Sequence, residues 1–244
     1  MDCSNKMLYT LQNRDTLYTL ALRYNTTVEN IMANNAFLNP YNLIVGSQIV
    51  ICPNSRDNTR GNISGISLQE LNLLEEMNTL WEQHVFWTRL FLISVAESLD
   101  DLELTKNRLL RNPKDIASVY RRYYGNDIAS RLETLLTEHL VIGGDLIVAL
   151  KNKNTTLAST LTQKWYQNAD EMAEFFSSFN PYYDKEEVRQ MFYTHLQLTT
   201  DEVTARLRRD FAADIAAFDK IEKEALEMSR YFANRNYKTI SEYV

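Results

Sequence analysis

The chain has 244 residues, 45% hydrophobic and 24% charged, a composition that suits one large or two ordinary globular domains and excludes a disordered or fibrous chain. Six glycines and four prolines leave long tracts uninterrupted, which argues against an all-β protein. The net charge of −6 comes from 26 basic and 32 acidic side chains without a basic cluster, a field that repels a phosphate backbone and argues against nucleic acid as a partner.

No stretch approaches the roughly 18 apolar residues that span a bilayer, and the opening MDCSNKMLYT lacks the apolar core of an export signal. The expectation is a protein with no membrane span, made in the cytoplasm. Residues 1–53 hold three basic and three acidic side chains and eight asparagines, so all the net charge lies downstream. That shift predicts a first domain over 1–53, a flexible linker over 54–66 that opens with NSRDNTRGNISG, and a second domain over 67–244.

Within the first domain, Met7–Leu11 alternates as a strand. Asp15-Thr16 supplies a cap for a helix carrying Leu17, Leu20, Ala21 and Tyr24, and Thr27 caps a second helix with Val28, Ile31 and Met32 on one face. After a turn at Asn39-Pro40, Gln48–Ile51 forms a closing strand that Pro53 ends. The order is βααβ, with the two strands paired and the helices over one face.

Tyr9, Asp15-Thr16-Leu17, Ala21, Tyr24, Asn35, Asn39-Pro40, Gly46, Ile49, Ile51 and Pro53 resemble, in register, the LysM domain along its whole length. The resemblance implies binding of glycans that contain N-acetylglucosamine, chiefly peptidoglycan and chitin, in a shallow groove between two loops. The groove residues it implies are Asn13, Arg14, Asp15, Thr16 and Leu17 in the first loop and Asn39, Pro40, Asn42, Leu43 and Ile44 in the second. The chain departs from the family at Arg14, where the family has glycine, a change that narrows the groove or adds a charged contact. A neutral module rich in Asn and Tyr suits a neutral N-acetyl sugar, which is held by backbone polar groups and apolar contact rather than by charge.

The two cysteines, Cys3 and Cys52, lie just outside the two strands. If those strands pair antiparallel, the cysteines become neighbours, and a disulfide closing so long a loop would contribute roughly 4 kcal/mol. Two free thiols in a reducing compartment is the other reading.

From Ser67, which with Glu70 resembles a capping box, the pattern is helical. Capped breaks are predicted at Asn112-Pro113 with Asp115, Gly125-Asn126, Asn154-Thr155, Pro181 with Asp184 and Glu187, and Thr199 with Glu202. Long helices joined by short turns imply an antiparallel bundle. Residues 136–176 align without gaps onto 192–232 at an offset of 56, and a third, more diverged copy begins near Leu80. About three helix-pair repeats build the bundle.

The chain's three histidines, His84, His139 and His195, occupy one slot of that repeat, each among apolar helical neighbours and so facing the core. The polar slot on the second helix of each unit holds Asn112, Asn168 and Glu224. Buried imidazoles need hydrogen-bond partners or a metal. One reading is a transition metal ion held by His84, His139 and His195 with Glu138 or Glu224. Another is a duplicated core position in which each His bonds the Asn or Glu of its partner helix, and a third is a wet ligand pocket. No Glu-x-x-His pair occurs, which argues against a di-iron arrangement.

No nucleophile elbow, phosphate loop or HExxH is present, and no catalytic residue is assigned. Trp81, Phe86, Trp87 and Phe91 read as core; Arg121-Arg122 and Arg208-Arg209 read as solvated faces. The helical half is loosely similar to helical regions of LysM proteins from spore-forming bacteria, a likeness that implies no activity. The expectation is a mainly α, non-enzymatic, peptidoglycan-directed bacterial protein, its single LysM module tethering a bundle to the cell envelope or spore layers and aided by self-association or by other envelope or spore proteins. The alternative is a metal-binding bundle enzyme or storage protein that the module localises.

Overall fold

The computed structural model describes residues 6–12, 15–35, 38, 43–53 and 68–242. The chain forms two compact units, Met1–Leu68 and Gln69–Val244. The expected linker over 54–66 and the capping residue Ser67 lie outside the described residues.

The first unit contains β1 (Met7–Thr10), α1 (Leu17–Arg23), α2 (Val28–Ala33) and β2 (Gln48–Ile51). β1 and β2 pair antiparallel, with Met7 opposite Ile51 and Thr10 opposite Gln48. Strand alternation turns Met7 and Tyr9 inward, and Ile49 and Ile51 join Leu11, Leu17, Leu20, Ala21 and Ile31 in one core. Thr16 and Thr19 cap α1 reciprocally, each backbone N–H donating to the other's hydroxyl at 3.0 Å. Thr27 caps α2 by accepting from Asn30 N at 3.1 Å. The buried Asn35 amide donates to Val50 O at 2.7 Å and accepts from Val50 N at 2.8 Å, so one side chain stands in for a third strand along β2. Cys52 is buried and disulfide-bonded, and Cys3 lies outside the described residues.

The second unit is a helical bundle: α3 (Leu68–Glu97), α4 (Leu102–Leu109), α5 (Asn112–Lys151), α6 (Thr155–Phe179), α7 (Lys185–Leu207) and α8 (Phe211–Glu242). Gly125, at φ 81° and ψ −177°, breaks α5 into two arms. A left-handed φ of this kind is strained for any residue with a Cβ. The break lets α5 serve two units: its first arm partners α3, and its second partners α6, while α7 partners α8. Asn154 and Asp184 cap α6 and α7 as their positions suggest, accepting from Leu157 N at 3.1 Å and Glu187 N at 2.9 Å.

Equivalent repeat positions meet in the core. Met77, Leu132 and Val188 are buried on the first helices; Ile116, Met172 and Met228 are buried on the second. Tyr120, Phe176 and Phe232 also share a slot. Their rings lie 5.9 Å (Tyr120 to Phe176) and 4.6 Å (Phe176 to Phe232) apart. The duplication is therefore one of packing layers as well as of letters.

Two expectations need correction. Thr199 and Glu202 do not open a helix: α7 runs through them, Thr199 donates to His195 O at 2.8 Å, and Glu202 is buried beside Arg89. The chain breaks instead after Leu207, where Asp210 caps α8 by accepting from Ala213 N at 3.1 Å. A Thr with an acidic residue three positions on is the cap pattern, but a buried cation across the bundle can claim the same carboxylate. Among the aromatics read as core, Trp81 and Phe91 are buried, whereas Phe86 is 53% exposed.

Candidate functional site

In the first unit, half of the expected groove lies among the described residues. Asp15 is committed to the fold: Oδ2 accepts from Tyr9 Oη at 2.8 Å and from Gln12 N at 2.7 Å, and Oδ1 lies 3.7 Å from Arg23 Nη2. Tyr9 in turn accepts from Arg23 at 2.9 Å and packs edge-on to Tyr24. Thr16 caps α1, and Leu17 is buried under it. Leu43 is half-buried against the core, whereas Ile44 is 67% exposed and presents an apolar face beside the equally open Val45. Asn13, Arg14, Asn39, Pro40 and Asn42 lie outside the described residues.

The bundle's candidate site is built by the repeat. His84 on α3, His139 on the second arm of α5 and His195 on α7 are 4%, 3% and 4% exposed. Their ring centroids are 5.6 to 6.2 Å apart, and one ring nitrogen from each lies within 4.8 Å of those of the other two. Nδ1 of each ring meets its partner helix: Asn112 Oδ1 at 3.0 Å, Asn168 Oδ1 at 3.3 Å and Glu224 Oε2 at 2.8 Å. The same slot, three times over, joins an imidazole on a first helix to an acceptor on a second.

The two amides determine the tautomers. Asn112 Nδ2 donates to Leu80 O at 2.9 Å, and Asn168 Nδ2 donates to Leu135 O at 3.1 Å. A backbone carbonyl only accepts, so each amide nitrogen is spoken for, and the oxygen must face the ring. His84 and His139 consequently carry their proton on Nδ1, which leaves Nε2 a bare lone pair. Burial, reinforced by the neighbouring His195, pushes His84 down to about 3, and burial, reinforced by the neighbouring His84 and His195, pushes His139 well below its ordinary value. Both rings are neutral near pH 7.

Glu138 and Glu224 do not stand among those nitrogens. Glu138 is exposed, because one residue along a helix turns a side chain by about 100°. Glu224 sits behind His195 and orients it, its Oε1 buried without a hydrogen-bond partner among the described residues. A cavity of about 30 Å³ adjoins the three rings, walled by Phe91, Leu140, Ile147 and Val203, with Thr88 and Thr199 at its polar edge. Trp165 closes one side and donates through Nε1 to His139 O at 3.0 Å. It can approach because residue 143 is glycine, whose Cβ, if present, would fall 3.0 Å from the indole ring.

Sequence reasoning missed a second buried polar group in the bundle. Arg89 on α3 contacts Glu202 on α7 and donates to Asp214 on α8 at 2.8 Å; Arg206 also reaches Asp214, at 3.3 Å. Burial raises Glu202 to about 7 against the opposing pull of Arg89. The signal available was weak: charged residues at core-facing helical positions, more than a hundred residues apart in the chain.

The LysM domain family matches residues 9–51, and a LysM domain therefore occupies the first unit. No curated protein and no solved structure matches the chain. Among the described residues, no helix is long and apolar enough to cross a membrane.

Proposed function

We propose that the protein is a glycan-bound anchor: its LysM domain grips an N-acetylglucosamine-containing polymer of the cell envelope or of spore layers and holds the helical bundle there. The family match over residues 9–51 carries this reading. The open apolar surface at Ile44 and Val45 supports it, since an acetyl methyl and a sugar ring face need apolar contact more than charge. Of the expected groove residues that are described, Asp15 and Leu17 are committed to the fold, and Ile44 offers the exposed apolar contact. A single module binds weakly, on the order of micromolar to millimolar, so retention rests on several copies acting together through self-association.

Co-sedimentation of the full chain with purified peptidoglycan and with chitin tests the proposal. The chain should pellet with at least one polymer, chitooligosaccharides should release it, and Ile44→Asp should weaken retention about tenfold, near 1.4 kcal/mol. A chain that stays in the supernatant with both polymers would sink it.

A further inference from the structure

The hydrogen bonds to Asn112, Asn168 and Glu224 satisfy only half of each imidazole. Nδ1 is paired in all three rings, and the nitrogen left over, Nε2, is an acceptor in His84 and His139 by the amide argument above. One ring nitrogen from each of these three histidines, all more than nine-tenths buried, lies within 4.8 Å of those of the other two, so the three rings converge on one point. Buried polar atoms are rarely left without partners. Bare lone pairs on His84 and His139 aimed at one point, with a third imidazole beside them, make a ready-made ligand set. A cation at that point would be held by His84 and His139 and, with its proton on Nδ1 toward Glu224, by His195 as well.

We infer that the bundle holds one divalent first-row transition metal ion on Nε2 of His84, His139 and His195. The donor chemistry selects the metal class: three neutral imidazoles suit zinc, cobalt, nickel or copper, whereas magnesium and calcium require oxygen ligands. Each ring is held from behind by an acceptor on its Nδ1, the outer arrangement that fixes ring orientation and raises ligand basicity in histidine metal sites. Glu224 gives the ligand set an anionic neighbour. The cavity of about 30 Å³ beside the rings has room for a water or a comparably small fourth ligand. Structural zinc sites are closed by four protein ligands, so three leave a position open. This inference concerns the bundle alone and stands whether or not the first unit binds glycan.

The test uses the full chain, stripped with a chelator and titrated with Zn²⁺ and Co²⁺. The expected result is one metal per chain by elemental analysis after gel filtration, visible cobalt absorption, and a rise in melting temperature with Zn²⁺. His139→Ala should lose binding at least a hundredfold. Because that variant opens a core cavity, Asn168→Asp provides an independent check. A carboxylate behind His139 gives up the Asn168 donor to Leu135 O but, like Glu224 behind His195, should tighten Zn²⁺ about tenfold. Absence of stoichiometric metal with no thermal shift, or Zn²⁺ affinity unchanged in both variants, overturns the inference.

Discussion

Gly143 and Gly144 are adjacent in α5 and answer to different constraints. A Cβ on Gly143 would press on the Trp165 ring at 3.0 Å, and that ring is buried and tied to His139 O, so it cannot yield. On Gly144 the nearest atom is Phe91 at 3.4 Å, an ordinary contact. Alanine is worth up to about 1 kcal/mol over glycine inside a helix, while overpacking costs about 1–3 kcal/mol. Gly143→Ala should therefore lower stability by about 1 kcal/mol in urea unfolding, and Gly144→Ala should leave it unchanged or raise it. Equal effects at both positions would show that the indole does not need the space. The histidine slot was legible in the sequence because three histidines at one repeat position, among apolar neighbours, can only face inward. The tautomers were not, because they depend on which helix carbonyl each Asn amide reaches.

At the level of elements, α5 spans two repeat units only because its helix is interrupted. Gly125 has open space around it, so substitution there is a question of backbone alone. Gly125→Ala should cost about 1–2 kcal/mol through the unfavourable left-handed φ, without altering the cores of the two arms. Chemical denaturation with Trp fluorescence as the probe measures it, and a neutral result would mean that the arms can rejoin as a continuous helix. The caps at Thr16, Thr27, Asn154 and Asp184 were readable because a cap is a local bond, made within three residues. The failed cap at Thr199 has the same letters, but Glu202 is claimed by Arg89 more than a hundred residues away. Helix α4 gave little warning, since only Thr105 and Leu109 of its residues are buried.

Across the whole bundle, the buried charges set a dependence on pH. Glu202 titrates near 4.5 when unfolded and near 7 in the fold, so between those values the native state holds a proton that the unfolded chain has released. The sign follows: the stability from this group is complete below pH 4.5 and is lost as pH rises toward 7, at up to about 1.4 kcal/mol per unit. Urea unfolding of the native chain and of Glu202→Gln at pH 5 and pH 7.5 isolates the effect. The difference between them should widen as pH rises, in favour of the variant. A constant difference would show that Arg89 keeps Glu202 ionised throughout.

The order of elements, the βααβ module, the helical repeat and the inward histidines follow from the amino acids alone, because strand alternation, helical periodicity, capping and repetition are short-range or self-similar signals. Tertiary structure alone decided that Asn35 completes the β2 edge, that Asp15 serves its own loop, that Glu138 faces solvent and that Glu224 stands behind His195. It also decided that three imidazoles separated by 55 and 56 residues converge on one point. Such facts depend on the relative placement of separate helices and strands, and that placement is set by packing between distant parts of the chain.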